Sequence, residues 1–198
     1  MTVAGAAVTG IVLAGGMGRR MGGVDKGLVA LAGQPLVAHV LARLAPQVGA
    51  VIINANQNLE RYATFGHPVV ADEVGGFAGP LAGLHAGLTR AKTSHVVTVP
   101  CDSPFLPLDL VARLAAGLAR DDAELAVART YTQPHPVFAL VDSRVLPNLT
   151  AFLAGGGRKI DAWYAALRVT VVAFDDEEEA FRNLNTADEL AAADNRAP

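Results

Sequence analysis

Short runs of apolar, often β-branched residues recur along the chain and alternate with alanine- and leucine-rich segments. The apolar runs lie at residues 9–13, 50–54, 68–71, 95–99, 125–128, 137–141 and 169–174. Continuous runs of this length are typical of strands that are buried on both faces of a sheet. The segments of helical spacing lie at residues 35–45, 80–91, 107–120 and 143–153. This alternation predicts an α/β fold: one doubly wound, mostly parallel sheet with helices on both faces.

Several local signals refine this prediction. Proline opens three of the predicted helices, at Pro35, Pro80 and Pro107, and suits a first helical position because it has a fixed φ and no N–H group. Two predicted strands flank the turn at 130–136, so the C-terminal half is expected to add a hairpin or a mixed edge to the sheet. Thr186 precedes the last helix at the spacing of a helix cap.

Length, composition and charge limit the class of protein. A chain of 198 residues with 52% apolar and 18% charged residues is expected to form one domain, residues 1–198. The net charge of −3 provides no positive field for a nucleic acid, so phosphates have to be bound by local cations. No apolar run reaches the roughly 18 residues of a membrane helix. With Cys101 as its single cysteine, the chain is predicted to be cytoplasmic and without disulfides.

The most informative segment follows the first predicted strand and has the sequence LAGGMGRRMGGVDK at residues 13–26. Small residues after a strand let the backbone approach a phosphate, and Arg19, Arg20 and Lys26 supply positive charge. A Walker loop would require Gly-Lys-Ser/Thr, and the dinucleotide fingerprint would require glycine where Met21 stands. The segment is therefore predicted to bind phosphate by another arrangement, the alternative being a glycine-rich turn with exposed arginines.

Polar residues follow three further predicted strands. Asn54 ends the second strand, Asp72 follows the third, and Asp102 follows the fourth between Pro100 and Pro104. Because ligands bind where the carboxyl ends of parallel strands meet, these residues are expected to lie near the glycine loop. A rigid carboxylate at this edge suits Mg²⁺, which we predict at Asp102. The alternative for each residue alone is a polar strand end that faces water.

Residues 13–26 resemble the Leu-Ala-Gly-Gly-x-x-x-Arg-Met-Gly-x-x-Asp-Lys signature of the molybdenum cofactor guanylyltransferase family, within the nucleotidyltransferases. The resemblance continues in the same motif order over nearly the whole chain and weakens at residues 108–131 and 146–178. It implies an enzyme that uses Mg²⁺ and transfers GMP from GTP to the terminal phosphate of molybdopterin, with release of pyrophosphate. Molybdoenzymes or cofactor-delivery proteins are further candidate partners.

The resemblance also implies roles for individual residues. Catalytic roles fall to a cation pair and a metal carboxylate: Arg19, Lys26 and Asp102. Binding roles are shared by residues at the strand ends, at one helix start and near the C-terminus: Leu13, Ala14, Gly15, Gly16, Lys26, Asn54, Asp72, Pro80, Gly83, Asp102, Asn183 and Asn185. Fixed cations suit this chemistry, because the departing pyrophosphate gains negative charge in the transition state.

Within these assignments, Asn54 and Asp72 are expected at the guanine nucleotide, and Asn183 and Asn185 at the molybdopterin. The small helix start at Pro80 and Gly83 is expected to admit a ligand, although close packing on the sheet explains it equally well.

Alternatives remain for other residues. Asn185 or Thr186 could simply cap the last helix, and His135 is a weaker candidate on the acceptor side. Asp25 is expected to orient Lys26 or cap a turn. Cys101 is interpreted as a small buried thiol, because no neighbouring arrangement would activate it.

Two other functions compete with guanylyl transfer. One is a related enzyme that uses CTP, with molybdopterin or another phosphate or alcohol as acceptor; such relatives tend to have Leu-Ala-Ala-Gly where this chain has Leu-Ala-Gly-Gly. The other is a non-catalytic nucleotide-binding module. The presence of Arg19, Lys26 and Asp102 together favours catalysis, because a simple binding protein needs no metal carboxylate opposite two phosphate cations.

Overall fold

The computed structural model describes residues 3–16, 25–73 and 79–194. The strands are β1 (Val8–Leu13), β2 (Ala30–Leu31), β3 (Gln34–Pro35), β4 (Ala50–Asn54), β5 (Val69–Val70), β6 (His95–Pro100), β7 (Leu125–Thr130), β8 (Gln133–Asp142) and β9 (Val169–Ala173). The α-helices are α1 (Leu36–Leu44), α2 (Leu59–Ala63), α3 (Pro80–Arg90), α4 (Leu110–Arg120), α5 (Leu146–Ala154), α6 (Ile160–Tyr164) and α7 (Ala187–Asp194).

A seven-stranded sheet in the order β5-β4-β1-β6-β8-β7-β9 forms the centre of the fold. β1 pairs in parallel with β4 and β6, β4 with β5, and β7 with β9. β8 runs antiparallel to both of its neighbours, β6 and β7. The predicted mostly parallel sheet and the hairpin around residues 130–136 are thus confirmed, with the antiparallel strand placed between two parallel groups.

Helices cover both faces of the sheet, as predicted. On one face, buried side chains of α1 and α4 pack against alternate strand residues such as Val12. On the other, α3 and α5 pack against Ile11 together with the fully buried Trp163 of α6. Because successive side chains of a strand point to opposite faces, Ile11 and Val12 contribute to separate hydrophobic cores. Among the helices of the described ranges, none combines the length and hydropathy that crossing a membrane requires.

The predicted helix starts were correct at one proline and wrong at two. Pro80 occupies the first turn of α3. Pro35 instead has an extended backbone and pairs with Ala30 in the small β2–β3 sheet, so that α1 begins one residue later. Pro107 lies ahead of α4, which begins at Leu110. The β2–β3 hairpin and the five-residue helices α2 and α6 were not predicted, because elements this short show no hydrophobic period.

Two glycines let α3 lie directly on the sheet. A Cβ atom at Gly87 would lie 1.8 Å from Cδ1 of the fully buried Ile11. One turn earlier, a Cβ atom at Gly83 would lie 2.4 Å from Oδ1 of Asn54 and 2.5 Å from Cδ2 of Leu13. The absence of side chains at these positions therefore determines how closely α3 approaches the ends of β1 and β4.

Replacing Gly87 with alanine is expected to lower the free energy of unfolding by about 1–2 kcal/mol, because the added methyl group overfills a packed core. Ile11→Val removes the Cδ1 atom that this methyl group would meet. Gly87→Ala should therefore cost less in the Ile11→Val background than in the wild type, as measured by urea denaturation. Equal costs in both backgrounds would contradict the close contact.

Candidate active site

The carboxyl ends of four neighbouring parallel strands meet at one edge of the sheet. The register places Leu13 of β1 beside Asn54 of β4 on one side and beside Pro100 of β6 on the other, and Asn54 lies beside Val70 of β5. Backbone hydrogen bonds continue this order beyond the strands: Ala14 N–H donates to the Asn54 carbonyl at 2.7 Å. The predicted grouping of strand-end residues at a single edge is what the structure shows.

Asn54 and Asp72 are joined directly. The Asn54 amide, on a residue that is 2% exposed, donates from Nδ2 to Oδ1 of Asp72 at 2.8 Å. Asn56 binds the same residue twice: its Nδ2 donates to Oδ2 of the Asp72 carboxylate at 2.8 Å, and its Oδ1 accepts from the Asp72 backbone N–H at 2.9 Å. The sequence motifs assign no role to Asn56. Its hydrogen bonds to Asp72 form only because β5 brings Asp72, which lies sixteen residues after Asn56 in the chain, next to the end of β4.

The small residues at this edge differ in how much space surrounds them. A Cβ atom at Gly15 would lie 2.8 Å from Nδ2 of Asn56 and 3.1 Å from Oδ1 of Asn54, so the loop backbone lies directly on these amides. At Gly16 a Cβ atom would meet no described atom within 4 Å. Pro80 is exposed in the first turn of α3 and, with Gly83, forms a helix start that lies against Asn54.

Lys26 and Asp102 face each other in the same region. Nζ of Lys26 lies 3.4 Å from Oδ2 of Asp102, and the two side chains are 22% and 12% exposed. Burial raises the pKa of the Asp102 carboxyl, and the Lys26 ammonium opposes that shift. Nζ of Lys26 also donates to Oδ1 of Asn185. The site therefore holds a largely buried carboxylate, a cation and an amide from three distant parts of the sequence.

The segment at 183–185 lies against the loop that carries Asp102. The Leu184 N–H donates to the Asp102 carbonyl at 2.9 Å, and Ser103 Oγ donates to Oδ1 of Asn183 at 2.7 Å. Thr186 and Glu189 form the predicted helix cap, in which Glu189 Oε2 accepts from the Thr186 N–H at 2.9 Å and the Glu189 N–H donates to Thr186 Oγ1 at 3.2 Å. Because that carboxylate also accepts from the Asn185 N–H at 2.7 Å, the cap helps to place the Asn185 side chain on Lys26.

Other predicted residues either have different hydrogen-bond partners or lie outside the described ranges. Arg19, with its neighbour Arg20, lies outside the described residues. Asp25 accepts hydrogen bonds from residues of the α2 region rather than from Lys26. His135 is half-buried, bonds Thr130 and stacks on Phe181, and burial lowers its pKa.

Cys101 is buried, and that burial raises the pKa of its thiol well above the ordinary value. A thiol held in its neutral form is a poor nucleophile, so the interpretation of Cys101 as a structural residue fits its surroundings.

The described residues contain no group of three or more His, Cys, Asp or Glu side chains placed to hold a metal ion. Within those residues, Asp102 is therefore not part of such a cluster. Mg²⁺ in nucleotide sites is commonly held by one or two carboxylates, with the remaining positions taken by water and substrate phosphates. A largely buried carboxylate opposite a lysine, as at Asp102 and Lys26, suits that mode of binding.

A doubly wound sheet that carries small residues (Ala14, Gly15 and Gly16), a lysine and a buried carboxylate at its carboxyl edge is typical of a nucleotidyltransferase. Residues 10–173 match the family described as the MobA-like NTP transferase domain. The chain belongs to this family.

Curated relatives are similar over almost their full length. The chain is 54% identical to the molybdenum cofactor guanylyltransferase of Cupriavidus metallidurans over 92% of each chain. It is 52% identical to the protein of the same name from Ralstonia nicotianae, covering 92% of this chain and 94% of the relative. Among solved structures, molybdopterin-guanine dinucleotide biosynthesis protein A from Archaeoglobus fulgidus superposes with a TM-score of 0.80 at 25% identity, covering 95% and 97% of the two chains.

Proposed function

We propose that this protein transfers GMP from GTP to the terminal phosphate of molybdopterin, which forms molybdopterin guanine dinucleotide and releases pyrophosphate. The observation that carries the proposal is the contact between Lys26 and Asp102 at the edge of the sheet where Asn54 and Asp72 also lie. The names of the relatives support the choice of substrates. We assign residues 1–198 to one nucleotidyltransferase domain that acts in the cytoplasm, with molybdoenzymes or cofactor-delivery proteins as candidate recipients of the product.

The guanine nucleotide is assigned to the edge formed by residues 13–16, Asn54 and Asp72. Both Asp72 oxygens accept hydrogen bonds from asparagine amides, yet a carboxylate has about four acceptor positions and retains capacity for the N1–H and amino groups of guanine. A Cβ atom at Gly15 or Gly83 would meet Asn54 or Asn56, so neither position has room for a side chain. Glycine at both positions therefore leaves this edge open for a purine. Asn54 and Asn56 fix the orientation of the carboxylate before the nucleotide binds.

The triphosphate is assigned to Lys26 and Arg19, and Mg²⁺ to Asp102. When bound, Mg²⁺ would neutralise charge on the phosphate oxygens. An oxygen of the molybdopterin phosphate attacks the α-phosphorus of GTP, the bond to the bridging oxygen breaks, and pyrophosphate leaves. The attacking phosphate is already an anion, so the protein has to supply position and positive charge rather than a strong base.

The competing functions make different predictions for one assay, in which the protein is incubated with molybdopterin, Mg²⁺ and either GTP, CTP or ATP. We expect dinucleotide product and pyrophosphate with GTP, at a rate at least roughly tenfold above that with CTP. Equal rates with CTP and GTP would contradict the assignment of the base. Binding of nucleotide without product from any of the three would favour the non-catalytic module.

Asn183 and Asn185 are assigned to the acceptor, but the structure gives them different neighbours. We expect Asn183→Ala to raise the KM for molybdopterin by about tenfold, the equivalent of one lost hydrogen bond, with the KM for GTP little changed. Asn185→Ala should also lower kcat, because Asn185 accepts a hydrogen bond from Lys26. Separate titrations of GTP and molybdopterin measure both effects, with Gln133→Ala as a control for loss of an exposed amide. A loss confined to GTP binding in Asn183→Ala would exclude its acceptor role.

A further inference from the structure

The carboxylate of Asp25, next to Lys26 in the chain, is held by two donors that the proposed reaction does not use. The hydroxyl of Tyr62, a fully buried residue of α2, donates to Oδ1 of Asp25 at 2.5 Å. Asn58, which directly precedes α2, donates from Nδ2 to Oδ2 of Asp25 at 2.9 Å. Each oxygen of the carboxylate therefore accepts a hydrogen bond from the α2 region.

Asp25 in turn begins the short turn that carries Lys26. Its carbonyl accepts from the Leu28 N–H at 3.0 Å, and the Lys26 carbonyl accepts from the Val29 N–H at 3.0 Å. Gly27 lies inside this turn, and a Cβ atom there would lie 2.5 Å from the Tyr62 hydroxyl oxygen and 3.2 Å from Sγ of Cys101. The turn thus lies directly on Tyr62 and on the residue that precedes Asp102.

The chemistry of this contact suits a fixed support. Burial, together with nearby Cys101 and the hydrogen bond to Asp25, raises the pKa of Tyr62 well above its ordinary value, so its hydroxyl remains a neutral donor. A hydrogen bond from a neutral donor to a carboxylate is among the stronger kinds in proteins. The Asp25 carboxylate is thus engaged by Tyr62 and Asn58. It does not compete with Asp102 and Asn185 for the ammonium of Lys26.

We propose that Tyr62 and Asn58 are positioning residues for nucleotidyl transfer, which act by holding Asp25 and thereby directing Lys26 toward Asp102 and the phosphates. The catalytic part of this inference rests on the proposed function. The structural part, that the two donors immobilise the turn at residues 25–29, can be tested without any substrate.

Tyr62→Phe keeps the buried ring and removes only the hydroxyl. We expect kcat for dinucleotide formation to fall by roughly tenfold to a hundredfold, because a misplaced Lys26 loses transition-state contacts. In a Lys26→Ala background the same substitution should have little further effect, since Tyr62 acts through Lys26. Tyr164→Phe is the control: it removes the hydroxyl of a half-buried tyrosine, which donates to the Pro136 carbonyl at 2.6 Å, and should leave kcat unchanged.

Asn58→Gly tests the second donor without straining the backbone. Asn58 has a φ of 51°, which glycine adopts readily, and its side chain makes no capping hydrogen bond to α2. We expect a smaller loss of kcat than in Tyr62→Phe, because Asn58 is exposed and its bond competes with water. A loss in Asn58→Gly that persists in full after Lys26→Ala would contradict action through Lys26.

Hydrogen exchange separates this inference from the proposed function. In Tyr62→Phe the amides of Leu28 and Val29 should exchange faster than in the wild type, whereas Tyr164→Phe should leave them unchanged. Absence of transferase activity in the wild type would refute the proposed function and leave the exchange result to decide the support role. Unchanged exchange, or full additivity of Tyr62→Phe with Lys26→Ala, would overturn the inference.

Discussion

The pairing of Lys26 with the largely buried carboxylate of Asp102 is the interaction on which the rest of the site depends. A carboxylate loses hydration when it is buried, and burial raises the pKa of Asp102 for that reason. The ammonium of Lys26, 3.4 Å away, compensates part of this cost. A buried ion pair is weak evidence of a role in stability, because replacing such a pair with well-packed apolar residues is often neutral or stabilising. Such a pair suits a place where a polyanionic ligand and its cation bind.

The surrounding structure serves to bring this pair to the edge of the sheet. β6 ends immediately before the loop that carries Asp102, and the backbone of that loop is fixed by the Leu184 N–H. Lys26 reaches the same point from a turn that rests on Tyr62. Beside them, the glycines at 15 and 83 let the backbone after β1 and the start of α3 pack closely on Asn54. The Asn54 amide in turn orients Asp72 through a hydrogen bond. Phosphate and base contacts are thus assigned to adjacent parts of a single edge.

Much of this arrangement could be predicted from the sequence, because it follows from local patterns and one rule of sheet geometry. Apolar runs indicate the strands, and the rule that parallel strand ends share an edge is enough to group Asn54, Asp72 and Asp102. The motif at residues 13–26 indicated a phosphate site. These signals are local, so they do not depend on how the remaining chain packs.

The parts that could not be predicted depend on contacts between distant segments. Asn185 meets Lys26 across 159 residues, and no periodicity predicts that contact. Asn56 acquires its role only because β5 brings Asp72 within reach, and Tyr62 belongs to a helix of five residues, too short for a hydrophobic pattern. The prediction of Pro35 as a helix start is wrong because its pairing with Ala30 overrides the local preference of proline for a first helical position.

The central claim, that Asp102 serves the chemistry rather than the fold, is tested most directly by Asp102→Asn. This change keeps the shape and one acceptor oxygen and removes the charge, while the backbone bond from Leu184 to the Asp102 carbonyl remains. Mg²⁺-dependent pyrophosphate release from GTP and molybdopterin should fall by roughly two orders of magnitude or more, a barrier change of about 3 kcal/mol, and the melting temperature should change little. Near-normal turnover accompanied by a lowered melting temperature would show that Asp102 is a structural residue and would contradict the account.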